Sequence, residues 1–283
     1  MSDPRATVII PTTGDRGPAL EIAITSVLRQ TVTELEVFVV GDGVDDDTRR
    51  IIHGLCESDR RIRFVDHPKH ARRGEPYRHE LLTEQASGRI VAYLCDRDLW
   101  FSDHLEELER RLVDHDLATT LEFDILDERP HRIRYRVDLG TLATQAPSQR
   151  RHSPSRLSAA GHTLDAYRRL PHGWRETPPG TATDTYMWLQ FLDQPWIRAT
   201  SSALPTIVYL KRGDHPGLPT PQRRELLIDW NERLTTAPGE AVLRAQVLDD
   251  LWAQWQRLES SRWSRRLKNP VNDLRWRLER FRR

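Results

Sequence analysis

Through the first 112 residues, short runs of consecutive apolar positions alternate with longer stretches in which apolar residues recur every three or four positions. Thr7-Val8-Ile9-Ile10-Pro11 is apolar on both faces and predicts a buried strand. Leu20, Ala23, Ile24, Val27 and Leu28 then follow helical spacing. Residues 35–40, 63–65 and 89–94 read as further strands, and residues 46–55, 75–85 and 101–112 as helices, the last with Ser102 as its cap. Strands alternating with amphipathic helices predict a mostly parallel sheet covered by helices on both faces.

Beyond about residue 117 the pattern changes. Residues 121–125 and 132–137 read as an antiparallel pair, and 142–158 as a polar loop rich in Ser, Gln and Arg. Helices follow near 163–169 and 183–192, then a strand over 204–210. From Pro221 the chain reads as helix, with breaks near Pro238-Gly239 and Asn269-Pro270. The expected organisation is one sheet domain over 1–220, with halves of about 1–116 and 117–220, and a helical extension over 221–283.

Ligands of an open parallel sheet bind beyond the carboxyl ends of its strands. The first strand is followed by Thr12-Thr13-Gly14-Asp15-Arg16, the second by Gly41-Asp42-Gly43 and the fourth by Asp96-Arg97-Asp98. Carboxylates delivered to one edge suit a hard divalent cation, which takes oxygen ligands. No Gly-x-Gly-x-x-Gly or Walker-type loop follows a strand, which argues against dinucleotide and P-loop chemistry.

The stretch from Thr7 to Leu112 resembles a family 2 glycosyltransferase of the GT-A fold. The resemblance runs through Val8-Ile9-Ile10-Pro11-Thr12, Ser26-Val27-Leu28-Arg29-Gln30-Thr31, Glu36 to Gly43, Arg72-Arg73-Gly74, Ala86-Ser87-Gly88 and Tyr93 to Asp98. It implies a nucleotide-binding half at 1–116, an acceptor half at 117–220 and a Rossmann-like sheet with flanking helices. The implied activity is transfer of a single sugar from a nucleotide-diphosphate sugar to a carbohydrate or other hydroxyl acceptor, with inversion. The resemblance assigns Thr12 and Asp42 to the nucleotide, Asp96 to ribose or sugar, and Asp98 to Mn²⁺ or Mg²⁺, with Asp96 and His215 as further metal candidates. Where the family has two acids in a row, this chain has Gly41 before Asp42. Arg78 matches a basic position near the nucleotide, and also reads as a solvated helix arginine.

The resemblance implies Asp184 as the base that deprotonates the acceptor, although by position alone it reads as a helix cap or first-turn carboxylate. Trp188, one turn later, is either an acceptor-stacking ring or core, and His162 is a candidate ligand at the acceptor side. Two other readings compete: a sugar-1-phosphate nucleotidyltransferase, for which the loop after the first strand is a poor match, and an inactive binding scaffold.

Composition adjusts this picture at three points. Lys plus Arg number 43 and Asp plus Glu 42, so no global field draws nucleic acid. Cys56 and Cys95 form no disulfide framework, and Met1-Ser2-Asp3-Pro4-Arg5 lacks an apolar segment, which together predict a cytoplasmic protein. From Arg262 onward nine basic residues face two acidic ones, with Trp263, Leu267, Val271, Leu274, Leu278 and Phe281 at helical spacing. Such a basic amphipathic tail suits the inner face of an anionic membrane, or docking on its own domain or a dimer partner.

Overall fold

The structure is a computed structural model that describes residues 3–126, 129–133, 138–147, 153–210 and 217–280, with backbone alone for 126, 129–133 and 261–280. Its elements run β1 (Ala6–Gly14), α1 (Gly17–Leu28), β2 (Leu35–Val44), α2 (Asp46–Ser58), β3 (Ile62–His67), α3 (Glu75–Glu84), β4 (Ile90–Tyr93), β5 (Asp98–Trp100) and α4 (His104–Arg111). There follow β6 (Leu117–Leu126), β7 (Arg129–Ile133), α5 (Leu139–Thr144), β8 (Ala160–Thr163), α6 (Leu164–Arg168), α7 (Thr183–Leu192), β9 (Ala199–Tyr209), α8 (Thr220–Arg233) and α9 (Ala237–Arg280).

The strands form one sheet in the order β3-β2-β1-β4-β8-β6-β9-β5, with β7 paired to β6. The β3-β2-β1-β4 half is wholly parallel. Past β4 the sheet turns antiparallel through β8 to β6, then parallel from β6 to β9. Consecutive apolar residues in β1 face opposite sides, and both sides are covered. Val8 and Ile10 pack with Val37, Val39 and the α1 residues Leu20, Ala23, Ile24 and Val27. Ile9 packs on the other face with Phe38, Leu81, Tyr93, Met187 and Trp188. A third core joins Leu99, Phe101, Phe123 and Val208 to Leu227 and Trp230 of α8 and Leu243 and Val247 of α9. The start of the helical extension therefore shares a core with the sheet.

Several expected boundaries move, each for a local reason. Ser102 does not cap α4; its amide and hydroxyl donate to Glu240 at 2.7 and 2.8 Å, clipping α9 to the start of α4. The polar stretch 142–158 is not a solvated loop throughout: Ser155, Arg156 and Ser158 are buried, their polar atoms all engaged within the protein. Pro238 lies inside the first turn of α9, where no helical amide is needed, so the break falls before Ala237. α9 continues through Asn269-Pro270; an interior proline removes one hydrogen bond without obliging the helix to end there.

One buried acid aligns the strands that carry the site. Glu36 on β2 accepts hydrogen bonds from the Thr7 hydroxyl (2.7 Å), the Ser87 amide (2.7 Å) and the Gly88 amide (3.2 Å). Gly88 is required there, because a Cβ would lie 2.4 Å from the backbone of Ala6 and Thr7. Removing this carboxylate strands buried donors, so Glu36→Ala is expected to lose about 3 kcal/mol in urea denaturation at neutral pH. Gly88→Ala is expected to lose at least as much, by backbone overlap.

Candidate active site

The carboxyl end of β1 links the two acidic loops that flank it. The Thr12 hydroxyl donates to Asp96 Oδ2 at 3.0 Å, and the Thr13 hydroxyl to the backbone carbonyl of Asp42. β1 ends at Gly14 with φ of 60°, and nothing lies within 4 Å of where its side chain would begin. Asp42, at the end of β2, is nearly sealed: Lys69 pairs with its carboxylate and the His70 amide donates to it at 2.6 Å. Gly43 accommodates this approach, since a Cβ there would sit 2.5 Å from Lys69 Cβ. Behind it, His67 stacks on Tyr77 with ring centroids 3.9 Å apart.

Asp96 is 2% exposed and binds three partners: Thr12, the Arg16 guanidinium at 3.3 Å and Arg97 Nε at 3.5 Å. Asp98 is 0% exposed. The Ser158 hydroxyl donates to its Oδ2 at 2.6 Å and the Leu210 amide approaches its Oδ1 at 3.3 Å. Arg223, from α8, is buried beside the pair and donates to the Leu210 carbonyl at 3.1 Å. Burial holds its pKa below the usual arginine range; Arg97 and Arg16 lower it further, while Asp98 and Asp96 oppose them.

This donor set does not fit a divalent cation as it stands. A hard cation needs several oxygens free to point at one position. The oxygens of Asp98 face protein donors with no solvent access, and those of Asp96 face a hydroxyl and two guanidinium groups. Among the described residues no group of three His, Cys, Asp or Glu side chains is arranged to hold a metal. His215 lies outside the described residues.

Arg78 is not a solvated helix arginine. It is 4% exposed, its guanidinium lies 4.6 Å from the centroid of Trp174, and it donates to the Arg73 carbonyl at 3.1 Å. Burial pulls its pKa down, countered by Glu75. Its Nε is buried without a hydrogen bond. Glu75 also accepts from the Thr183 hydroxyl at 3.0 Å, which ties α3 to the start of α7.

Asp184 sits half-buried in the first turn of α7, and its carboxylate accepts from the Thr185 amide at 2.8 Å. It is not the cap: Ala182 holds that position without a side-chain bond. The next residue, Thr185, donates to Ser153 at 2.8 Å. Residues 153–158 thus run from the first turn of α7 to Asp98.

Trp188 and His162 both lie in the core. Trp188 is 0% exposed and packs edge-on against Tyr93 and Trp174. His162 is fully buried in the same cluster, with both ring nitrogens engaged. Trp174 Nε1 donates to the Tyr93 oxygen at 3.0 Å, Tyr93 donates to His162 Nε2 at 2.7 Å, and His162 Nδ1 donates to the Thr163 carbonyl at 2.9 Å. Trp188 shares the buried face of α7 with Met187, Phe191 and Leu192, and His162 lies on β8, which is buried along Ala160 to His162. Sequence reasoning missed Ser158, Lys69 and Arg223, which reach the site from distant segments. It passed over Arg16 and Arg97 although both stand inside the quoted motifs.

A parallel half-sheet with acidic loops at its carboxyl edge, continued by mixed strands, is the layout of a GT-A glycosyltransferase. The chain belongs to glycosyl transferase family 2, whose profile matches residues 7–152, just over half its length. It is 34% identical over 106 residues to an uncharacterised glycosyltransferase of Rickettsia felis, covering 38% of this chain and 17% of that protein. It is 32% identical over 108 residues to the GalNAc(5)-diNAcBac-PP-undecaprenol β-1,3-glucosyltransferase of Campylobacter jejuni, covering 38% of this chain and 34% of that one. The matches thus span 17% and 34% of these relatives' lengths. Among solved structures it resembles S. aureus TarS 1-349 in complex with UDP, with TM-score 0.58 and 15% identity over 81% of this chain and 71% of that one. It also resembles the mannosyltransferase PcManGT of Pyrobaculum calidifontis in complex with GDP-Man and Mn²⁺, with TM-score 0.54 and 16% identity over 91% and 83%. At such identity these two likenesses establish the fold.

Burial lowers the pKa of His162 to about 4 and that of His104 to about 3. An unfolded histidine titrates near 6.5, so between that pH and about 4 the unfolded chain binds protons that the folded chain refuses. Stability is therefore expected to be fully present above pH 6.5 and to fall as the pH drops toward 4. Denaturation midpoints at pH 7 and pH 5 check this, and the drop is expected to shrink in His162→Gln.

Proposed function

We propose that this chain transfers one sugar from a nucleotide-diphosphate sugar to a hydroxyl acceptor, with inversion by direct displacement and Asp184 as the base. One observation carries the reading: the end of β1 hydrogen-bonds both acidic loops, Thr12 to Asp96 and Thr13 to the Asp42 backbone, so all three motif loops form one surface. Ligands of parallel sheets collect at this edge. Thr12, Asp42, Arg78 and Asp96 are the residues assigned to the nucleotide sugar. The neighbours in complex with UDP and GDP-Man support a nucleotide-sugar donor.

In this reading the acceptor oxygen attacks the anomeric carbon as its proton passes to the Asp184 carboxylate. The bond from that carbon to the diphosphate oxygen breaks on the opposite side. Half-buried in the first turn of α7, Asp184 lies at the positive end of the helix dipole and accepts from the Thr185 amide. No step is routed through a divalent cation, because the oxygens of Asp96 and Asp98 already face protein donors.

The relative named for an undecaprenol-linked glycan supports a lipid-linked acceptor at a membrane surface. The net charge of +7 from residue 262 onward suits that surface. Among the described residues no helix is long and apolar enough to cross a membrane.

Thermal-shift measurements with UDP, GDP and dTDP are expected to raise the melting temperature with one of them. Asp184→Asn is expected to keep that rise and lower turnover by at least about a hundredfold. Nucleotide binding without turnover in the wild type, across lipid-linked and soluble acceptors, would instead favour a binding scaffold.

A further inference from the structure

We propose that arginine side chains, Arg97 foremost with Arg16 beside it and the charge of the buried Arg223 close by, hold the diphosphate of the donor and stabilise it as leaving group in place of a divalent cation. This rests on the reading of the site as a nucleotide-sugar site and names the groups that meet the phosphates.

Among the described residues three guanidinium groups stand around Asp96 and Asp98: Arg16 and Arg97 pair with Asp96, and Arg223 lies within electrostatic reach of the other four. The excess is one positive charge, gathered where the protein is already dense. Like charges brought together in a poorly solvated place repel, and an anion relieves that repulsion. A cation added to this edge would increase it. A diphosphate would complete it.

Arg97 supplies the second, independent sign. Its side chain is 16% exposed, and its Nε is buried without a hydrogen bond. Its ion pair with Asp96, at 3.5 Å, is longer than a hydrogen bond and leaves that donor unsatisfied. A guanidinium presents five donors in a fixed planar fork, which matches two phosphate oxygens at once. An orphaned buried donor on such a group, inside the acidic motif at the carboxyl edge of the sheet, calls for an oxygen acceptor that arrives with the ligand.

Position adds to this. Arg16 immediately precedes α1, whose first turn has no side-chain cap, so the positive end of the helix dipole lies beside that guanidinium. Arg223 is anchored through the Leu210 carbonyl, and the amide of Leu210 faces Asp98. Asp98 therefore acts as a positioning residue, fixing the ends of β5 and β9 with both oxygens on protein donors. Asp96 holds Arg16 and Arg97 beside the donor to which it is itself assigned.

The chemistry balances without a metal. As the bond between the anomeric carbon and the diphosphate oxygen breaks, its electron pair stays on that oxygen, while the acceptor proton goes to Asp184. The negative charge that grows on the phosphate is met by fixed positive groups that need no reorganisation. No proton has to reach the leaving group.

The test is calorimetric titration of the full chain with UDP, GDP and dTDP, and with the monophosphate of whichever diphosphate binds, in EDTA and again with Mn²⁺ or Mg²⁺. Diphosphate affinity is expected to be the same within about twofold in EDTA and in metal. Arg97→Ala is expected to weaken the diphosphate by about tenfold or more and the monophosphate by much less, while Arg97→Lys recovers part of the loss. Melting of the unliganded variants confirms that each is folded; if Arg97→Ala is not, the comparison of EDTA with metal in the wild type decides alone. Diphosphate binding that appears only with metal would overturn this inference and leave the proposed function standing, as would an Arg97→Ala variant that binds diphosphate like the wild type. Failure of every diphosphate to bind, with and without metal, would overturn both.

Discussion

A carboxylate wholly removed from water must be met by donors, because leaving such a charge unpaired costs several kcal/mol. Asp98 is in that position, and satisfying it draws together segments far apart in the chain. Ser158 gives its hydroxyl to Asp98 and accepts the Cys95 amide at 3.0 Å, while its carbonyl takes Trp100 Nε1 at 3.0 Å. That one serine fixes both ends of the acidic segment. On the other side the Leu210 amide faces Asp98 and the Leu210 carbonyl takes Arg223. The loop after β4, the turn before β8, the end of β9 and the start of α8 are therefore set by one charge.

The same requirement explains why a stretch that reads as a solvated loop is interior. Residues 153–158 carry Ser, Pro and Arg, yet Ser155 bonds Thr119 at 2.7 Å and Arg156 pairs with Asp124 and Glu122. Arg156 also lies 3.6 Å from the centroid of Tyr209. Polar residues are buried at little net cost when each finds a partner. The partners come from β6 and β9, and no local pattern announces them.

That distinction separates what the sequence made legible from what it did not. The parallel half was legible because β1, β2 and β4 are buried on both faces and read as unbroken apolar runs, with helical spacing between them. The acidic loops were legible because they stand directly after those runs. Asp96 and Asp98 were read as free ligands because spacing tells which edge a side chain reaches and says nothing of what already sits there. The core placement of His162 and Trp188 was not legible for the complementary reason: their burial is decided by Tyr93, Tyr167 and Trp174, which the fold brings in from elsewhere. Arg97 lay in plain view as the middle of a motif, and its meaning depends on Arg16 and on Arg223, the latter 126 positions further along.

Arg223 also bears on where the functional unit ends. Pattern alone separates the sheet domain from the helices after residue 220. Yet α8 places Arg223 against the acidic loop, and Leu227 and Trp230 on the same helix pack into the core beneath β5 and β9. α9 is fastened in turn by Glu240 to Ser102 and by Arg244 to Asp103. The helices that lead to the basic tail are thus mechanically continuous with the edge that holds Asp96 and Asp98.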